Sequence, residues 1–149
     1  MQRELMKMDV AEIYSPPRVV LEAKKMGLRP GWSLDLTTCD ELGNAWDFSD
    51  PWMRTKARKM VTEDKPILLV GSPMCTDWST LQNINWARMS EEEVQRRMTN
   101  ARLHLRFVVE LYQLQHQAGR YFLHEHPWGA KSWKEPCLEE MLRQQGVRV

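Results

Sequence analysis

Ile67-Leu68-Leu69-Val70-Gly71-Ser72-Pro73-Met74-Cys75 decides the reading of this chain. Four uninterrupted apolar residues suit a strand buried on both faces of a parallel sheet, and the polar turn after them marks a strand end. Working outward, further short apolar runs lie at Ala11 to Tyr14, Trp32 to Leu36, Tyr121 to Leu123 and Val147 to Val149. Helix signals separate them. Ser15-Pro16-Pro17 opens a segment with Val19, Val20 and Ala23 on one face and Gly27 as its stop. Asp50-Pro51 starts another, carrying Met53, Ala57, Met60 and Val61 at helical spacing. Ser90 with Glu93 predicts a capping box ahead of Val94, Met98, Ala101, Leu105, Val108 and Tyr112, which step by three or four until Gly119. Ser132 with Glu135 predicts a second box before Leu138, Met141 and Leu142, ending at Gly146. Parallel neighbours need helical crossovers, so this alternation predicts an α/β fold: a Rossmann-like, mostly parallel, doubly wound sheet of about five strands.

Composition narrows the class. With 149 residues, 42% apolar and 28% charged, the chain suits one domain, residues 1–149, with an ordered core from about residue 10. Lys plus Arg number 21 against 20 Asp plus Glu, so the basic excess of a self-sufficient nucleic-acid binder is missing. No apolar run is long enough for a membrane span, which predicts no membrane partner. Met1 to Val10 holds no signal-peptide apolar core, so the expected location is intracellular. Cys39, Cys75 and Cys137 form neither a disulfide framework nor a zinc knuckle. His124 and His126 share a strand face but lack a third ligand at suitable spacing, so no metal is expected. A His-x-Glu zinc deaminase pattern is missing too. Arg96, Arg97, Arg102 and Arg106 on the long helix read as a solvated face before they read as phosphate contacts.

Ligands bind doubly wound sheets beyond the carboxyl ends of the strands. Those ends read Tyr14-Ser15-Pro16-Pro17, Asp35-Leu36-Thr37-Thr38, Ser72-Pro73-Met74-Cys75-Thr76-Asp77-Trp78-Ser79 and His124-Glu125-His126-Pro127, with Trp46-Asp47-Phe48 a further possible end. Acidic residues fall near four of the five.

In this order, from about Glu12 onward, the ends resemble the catalytic domain of the cytosine C5 methyltransferases, whose cofactor is S-adenosyl-L-methionine. Ile13-Tyr14-Ser15-Pro16 stands where that family has a Leu-Phe-Ser-Gly-like turn, and Ser72-Pro73-Met74-Cys75 stands for its Ser-Pro-Cys loop with Met74 inserted. Glu125-His126-Pro127 stands for its Glu-Asn-Val. The resemblance implies a methyltransferase-type sheet with Tyr14, Ser15, Asp35, Asp47, Ser72 and Pro73 about the cofactor, Asp35 at the ribose and Asp47 near the adenine. It implies Cys75 as the nucleophile and Glu125 as the assisting acid. A thiolate adding to carbon 6 of cytosine makes carbon 5 nucleophilic, and a carboxyl group at ring nitrogen 3 stabilises the charge that develops. The implied partner is nucleic acid, DNA before RNA, with the target base flipped out.

Pro16-Pro17 replaces the family's glycines, no Gln-Arg-x-Arg-like segment is present, and the family's sheet-completing hairpin would follow Val149. These departures predict a C-terminally truncated sheet that self-associates or needs a downstream domain, as in a piece of a mobile-element or phage-derived protein. Two alternatives stand beside the C5 reading: an inactive relic or interaction domain keeping the fold, and an amino-methyltransferase, whose Asp/Asn/Ser-Pro-Pro-aromatic loop Ser72-Pro73 matches in its first two positions.

Overall fold

Apolar runs and their spacing to the helices place four strands side by side. The computed structural model describes residues 6–149; residues 1–5 of the Met1 to Val10 segment lie outside the described residues. The strands are β1 (Val10–Ile13), β2 (Pro30–Leu34), β3 (Leu68–Gly71) and β4 (Tyr121–His124). They form one sheet in the order β2-β1-β3-β4, every pair parallel. Val10 to Ile13 pair in register with Leu68 to Gly71, and these in turn with Tyr121 to His124. The chain moves outward from β1 to β2, then crosses back to β3 on the other side of β1. The switch point therefore lies between the carboxyl ends of β1 and β3, where ligands bind such sheets.

Alternation along the strands separates two cores. Ala11, Ile13 and Leu69 belong to the large one, with Met53, Ala57 and Val61 of α2 (Pro51–Asp64) and Leu105, Val108 and Tyr112 of α4 (Glu91–Gln117). Val10 and Val70 belong to a small one with Ala23 of α1 (Val19–Lys25). The sheet thus carries helices on both faces, α2 and α4 on one and α1 on the other. Arg58 clamps α2 to α4 by a two-pronged bond to Glu110, at 2.6 and 3.0 Å. A three-residue 3₁₀ turn (Thr76–Trp78) and α3 (Gln82–Trp86) follow β3, while α5 (Pro136–Leu142) packs on α4. Among the described residues no helix is long and apolar enough to cross a membrane.

Several expectations need correction. The sheet has four strands, not five, because Val147 to Val149 forms no ladder. Gly146, at φ 84°, turns the chain, and Val147 N–H bonds back to Gln144. Trp46-Asp47-Phe48 ends no strand. It is a loop pinned by an isolated Cys39–Ala45 bridge, and its alternation drives Trp46 and Phe48 into the core. Ser15 does not cap α1; the carboxylate of Glu12, reaching across from β1, accepts the N–H groups of Arg18, Val19 and Val20. Glu12 is completely buried, and three donors at a helix start offset the cost of burying its charge. Ser90 does cap α4, yet Glu93 turns to Arg96 instead of closing the box. Ser132 bonds His126 and leaves α5 to begin at Glu135-Pro136 without a side-chain cap. Ahead of β1, Lys7 is tied to Asp64, and the Arg29 guanidinium donates to the Met6 carbonyl.

Candidate functional site

Beyond the carboxyl ends of β1, β2 and β3 lies a pocket of about 390 Å³. Tyr14, Asp35, Asp47 and Ser72, four of the six residues expected at a cofactor, line it together. Each arrives from a different segment. Tyr14 follows β1 directly and adopts φ 60°, a left-handed conformation that a bulky residue takes only where its surroundings hold it. Its N–H donates to the Leu34 carbonyl, and its ring packs on Phe48 with centroids 5.1 Å apart. Asp35 follows β2 and uses Oδ2 to accept from the Thr37 N–H and hydroxyl. Asp47 uses Oδ1 for the Ser49 N–H. Each carboxylate keeps its other oxygen out of these turns. Ser72 N–H donates to the Ile13 carbonyl and ties the loop after β3 to the end of β1.

His104 closes the pocket from α4, and the sequence reading passed over it. Its Nδ1 stands 2.8 Å from the Tyr14 hydroxyl and its Nε2 3.4 Å from the Ser49 hydroxyl. Burial pushes the His104 pKa down, against the pull of Asp47 and with the help of Arg54. Burial likewise pushes the Tyr14 phenol far above its ordinary value. A neutral imidazole and a neutral phenol therefore share the hydrogen bond at Nδ1, its direction set by the imidazole tautomer. One signal was available: a histidine three residues beyond Ala101, inside the apolar stripe of the longest helix. Trp46, Phe48 and Asn100 complete a lining that mixes aromatic surface with acceptors.

Four expected residues do not line this pocket. Ser15 is buried, its hydroxyl donating to the Pro16 carbonyl and its carbonyl accepting from Ser33. Pro73 is buried too, and its carbonyl accepts from His126 Nε2 at 2.8 Å. Cys75 is half-buried at the start of the Thr76–Trp78 turn, with the inserted Met74 facing the pocket in its stead. Glu125 is exposed just past β4, its N–H on the Gly71 carbonyl.

Cys75 and Glu125 do follow adjacent strands, and His126 laces their loops together. Its Nδ1 meets the Ser132 hydroxyl at 2.6 Å while Nε2 holds Pro73. With both nitrogens engaged, and burial lowering its pKa, His126 positions the Ser72–Cys75 loop. Among the described residues no three His, Cys, Asp or Glu side chains gather as a metal site. Three of the four arginines singled out on α4 are paired, Arg96 with Glu93, Arg97 with Asp77 and Arg102 with Glu135, so that helix offers phosphates little free charge.

Fold and pocket together define a doubly wound parallel α/β domain with a small-molecule-sized pocket, lined by aromatic surface and a few polar groups, at its switch point. No family model matches the chain, nor does any curated protein or solved structure.

Proposed function

We propose that the chain is a methyltransferase-like domain of the cytosine C5 type that binds S-adenosyl-L-methionine and acts on nucleic acid, DNA before RNA. One observation supports this above the rest: Tyr14, Asp35, Asp47 and Ser72 converge from four separate segments on one pocket. Its volume of about 390 Å³ falls among small-molecule sites. The lining fits the cofactor's chemistry. Asp35 and Asp47 each offer an oxygen to hydroxyl or amine donors, and Tyr14, Trp46 and Phe48 offer aromatic surface to a purine. When bound, the cofactor supplies an electrophilic methyl group on a sulfonium. Cys75 serves as the thiolate nucleophile on the base, and Glu125, across the neighbouring loop, donates a hydrogen bond to the ring. His126 holds the loop that carries Cys75.

A second reading, a binding domain that has kept the fold without the chemistry, draws on Met74 taking the place at the pocket wall where a nucleophile is needed. Calorimetry with S-adenosyl-L-methionine separates binding from its lack. The expected result is micromolar affinity, weakened about tenfold in Asp35→Asn. No heat at about 1 mM cofactor would overturn the reading. For chemistry, a duplex containing 5-fluorocytosine should trap a covalent adduct that Cys75→Ser abolishes. Cofactor binding with no adduct supports the non-catalytic domain, and methyl on the exocyclic nitrogen supports an amino-methyltransferase.

A further inference from the structure

The outer edge of β4 is open. Tyr121 N–H donates to the Ile67 carbonyl and Glu125 N–H to the Gly71 carbonyl. Alternation then turns the backbone groups of Phe122 and His124 away from β3, to the side where no strand pairs among the described residues. Tyr121 and Leu123 stand in register with Leu68 and Val70, on the face where α1 packs over β1 and β2 and, through Ala23, on Val70. They are 68% and 49% exposed. Beside this edge runs a groove of about 580 Å³ whose walls include Trp133, Leu138 and Met141.

The groove's charge is one-sided. His116, Arg120 and Arg148 line it, and no Asp or Glu side chain does. Arg120, only 9% exposed, bonds to the Gln115 side chain and the Val61 carbonyl, both neutral. His124 adds an unmet ring nitrogen. Its Nδ1 stands 2.9 Å from the Tyr112 hydroxyl, and the buried Nε2 has no partner.

We propose that this groove is the docking site of an extended apolar peptide with acidic flanks, which adds to β4 as a fifth strand. The open edge supplies main-chain hydrogen bonds, the apolar walls take alternate side chains, and the cationic lining selects carboxylates. A second copy is the poorer occupant. Pairing β4 with β4 across a two-fold axis sets the same basic lining against itself.

The test is a titration of the whole chain with two synthetic decapeptides, alternating Val and Thr at the centre, one flanked by Glu and the other by Lys. Amide NMR shifts and calorimetry supply the readouts. The Glu-flanked peptide should bind with saturation and shift the amides of Phe122 and His124. The Lys-flanked peptide, and the exposed-site variants Leu123→Lys and Arg148→Glu, should each weaken binding about tenfold or more. Melting curves first confirm that both variants remain folded. Equal binding of the two peptides, no saturation by about 1 mM, or shifts confined to other strands would overturn the proposal. So would a concentration-dependent dimer in sedimentation that shifts the β4 amides without peptide, which would seat a second copy there. Cofactor binding does not enter these readouts, so the outcome is independent of the methyltransferase reading.

Discussion

The pocket at β1, β2 and β3 and the groove beside β4 are built by opposite means. Around the pocket, most polar groups are closed against one another, and only one oxygen each of Asp35 and Asp47 stays out of its turn. Glu12 holds three N–H groups, Tyr14 holds His104, and Ser72 holds the end of β1. Around the groove, polar groups are left over: the outer backbone of Phe122 and His124, the Nε2 of His124, the charge of Arg120. Both regions sit on one sheet and share helix α4, so the difference is not one of overall stability. It follows from position. The switch point lies between β1 and β3, which each have two neighbours and satisfy their backbone within the sheet, whereas β4 is an edge strand and keeps half of its own for something else.

If that contrast is right, the largest effect of a single substitution belongs to the buried carboxylate of β1. Glu12→Ala strands three backbone donors at the start of α1 and removes the tie between that helix and the sheet. Hydrogen bonds to a charged group contribute about 1.5–3 kcal/mol each, and they do not add fully. A loss of about 4 kcal/mol in urea unfolding is expected. A loss under about 1 kcal/mol would mean that α1 finds another cap, such as the Ser15 hydroxyl expected from sequence.

That contest between Glu12 and Ser15 shows how far the sequence could be read. Apolar runs and helical periodicity located all four strands and the long helix to within a few residues, although only β1 and β3 are buried along nearly their whole length. The switch-point pocket was also legible through Tyr14, Asp35, Asp47 and Ser72, since topology puts strand ends on one edge whatever the side chains. Long-range polar partners left no such trace. Glu12 lay inside an apolar run, His104 inside a helical stripe and Ser132 inside an apparent capping box. Neither Glu12 nor His104 stands out there and Ser132 reads as the partner of Glu135, while the partners in the fold lie 6 to 90 positions away. The strand expected at Val147 to Val149 failed for a related reason. Apolar residues mark a wish for burial, and the turn at Gly146 half-buries Val147 without a ladder while Val149 stays exposed.

The second effect is one of pH, and it sharpens the contrast from the side of the groove. Burial, aided by the neighbouring His126, lowers the His124 pKa from 6.5 to about 3. The folded chain keeps this ring neutral while the unfolded chain protonates it, so the unfolded state binds more protons between those values. Stability is complete above 6.5 and falls as pH drops toward 3. From pH 7 to pH 5 this one ring should cost about 2 kcal/mol, read as a falling melting temperature. His104 and His126 shift in the same direction and steepen the loss. Asp40, which Lys56 holds at about 2, keeps its contribution throughout this range and loses it only in stronger acid. His124→Gln should flatten the slope between pH 7 and pH 5. An unchanged slope would assign the acid sensitivity to the other two rings.

The smallest expected effect is the most discriminating. Leu123 lies in a strand, and a leucine truncated in a strand that is closed on both sides costs about 2–5 kcal/mol. At the open edge it is 49% exposed. Leu123→Ala should therefore change urea stability by no more than about 0.5 kcal/mol, the range of ordinary surface positions. Leu69, fully buried at the centre of the same sheet, is the matched control, and Leu69→Ala should cost at least about 2 kcal/mol. If the two losses were alike, Leu123 would be covered in solution by some part of this chain or by a second copy of it. Repeating the measurement across a tenfold range of protein concentration distinguishes those two, since only association makes the difference grow with concentration. Equal losses at every concentration would close the β4 edge from within and remove the contrast on which the docking proposal rests.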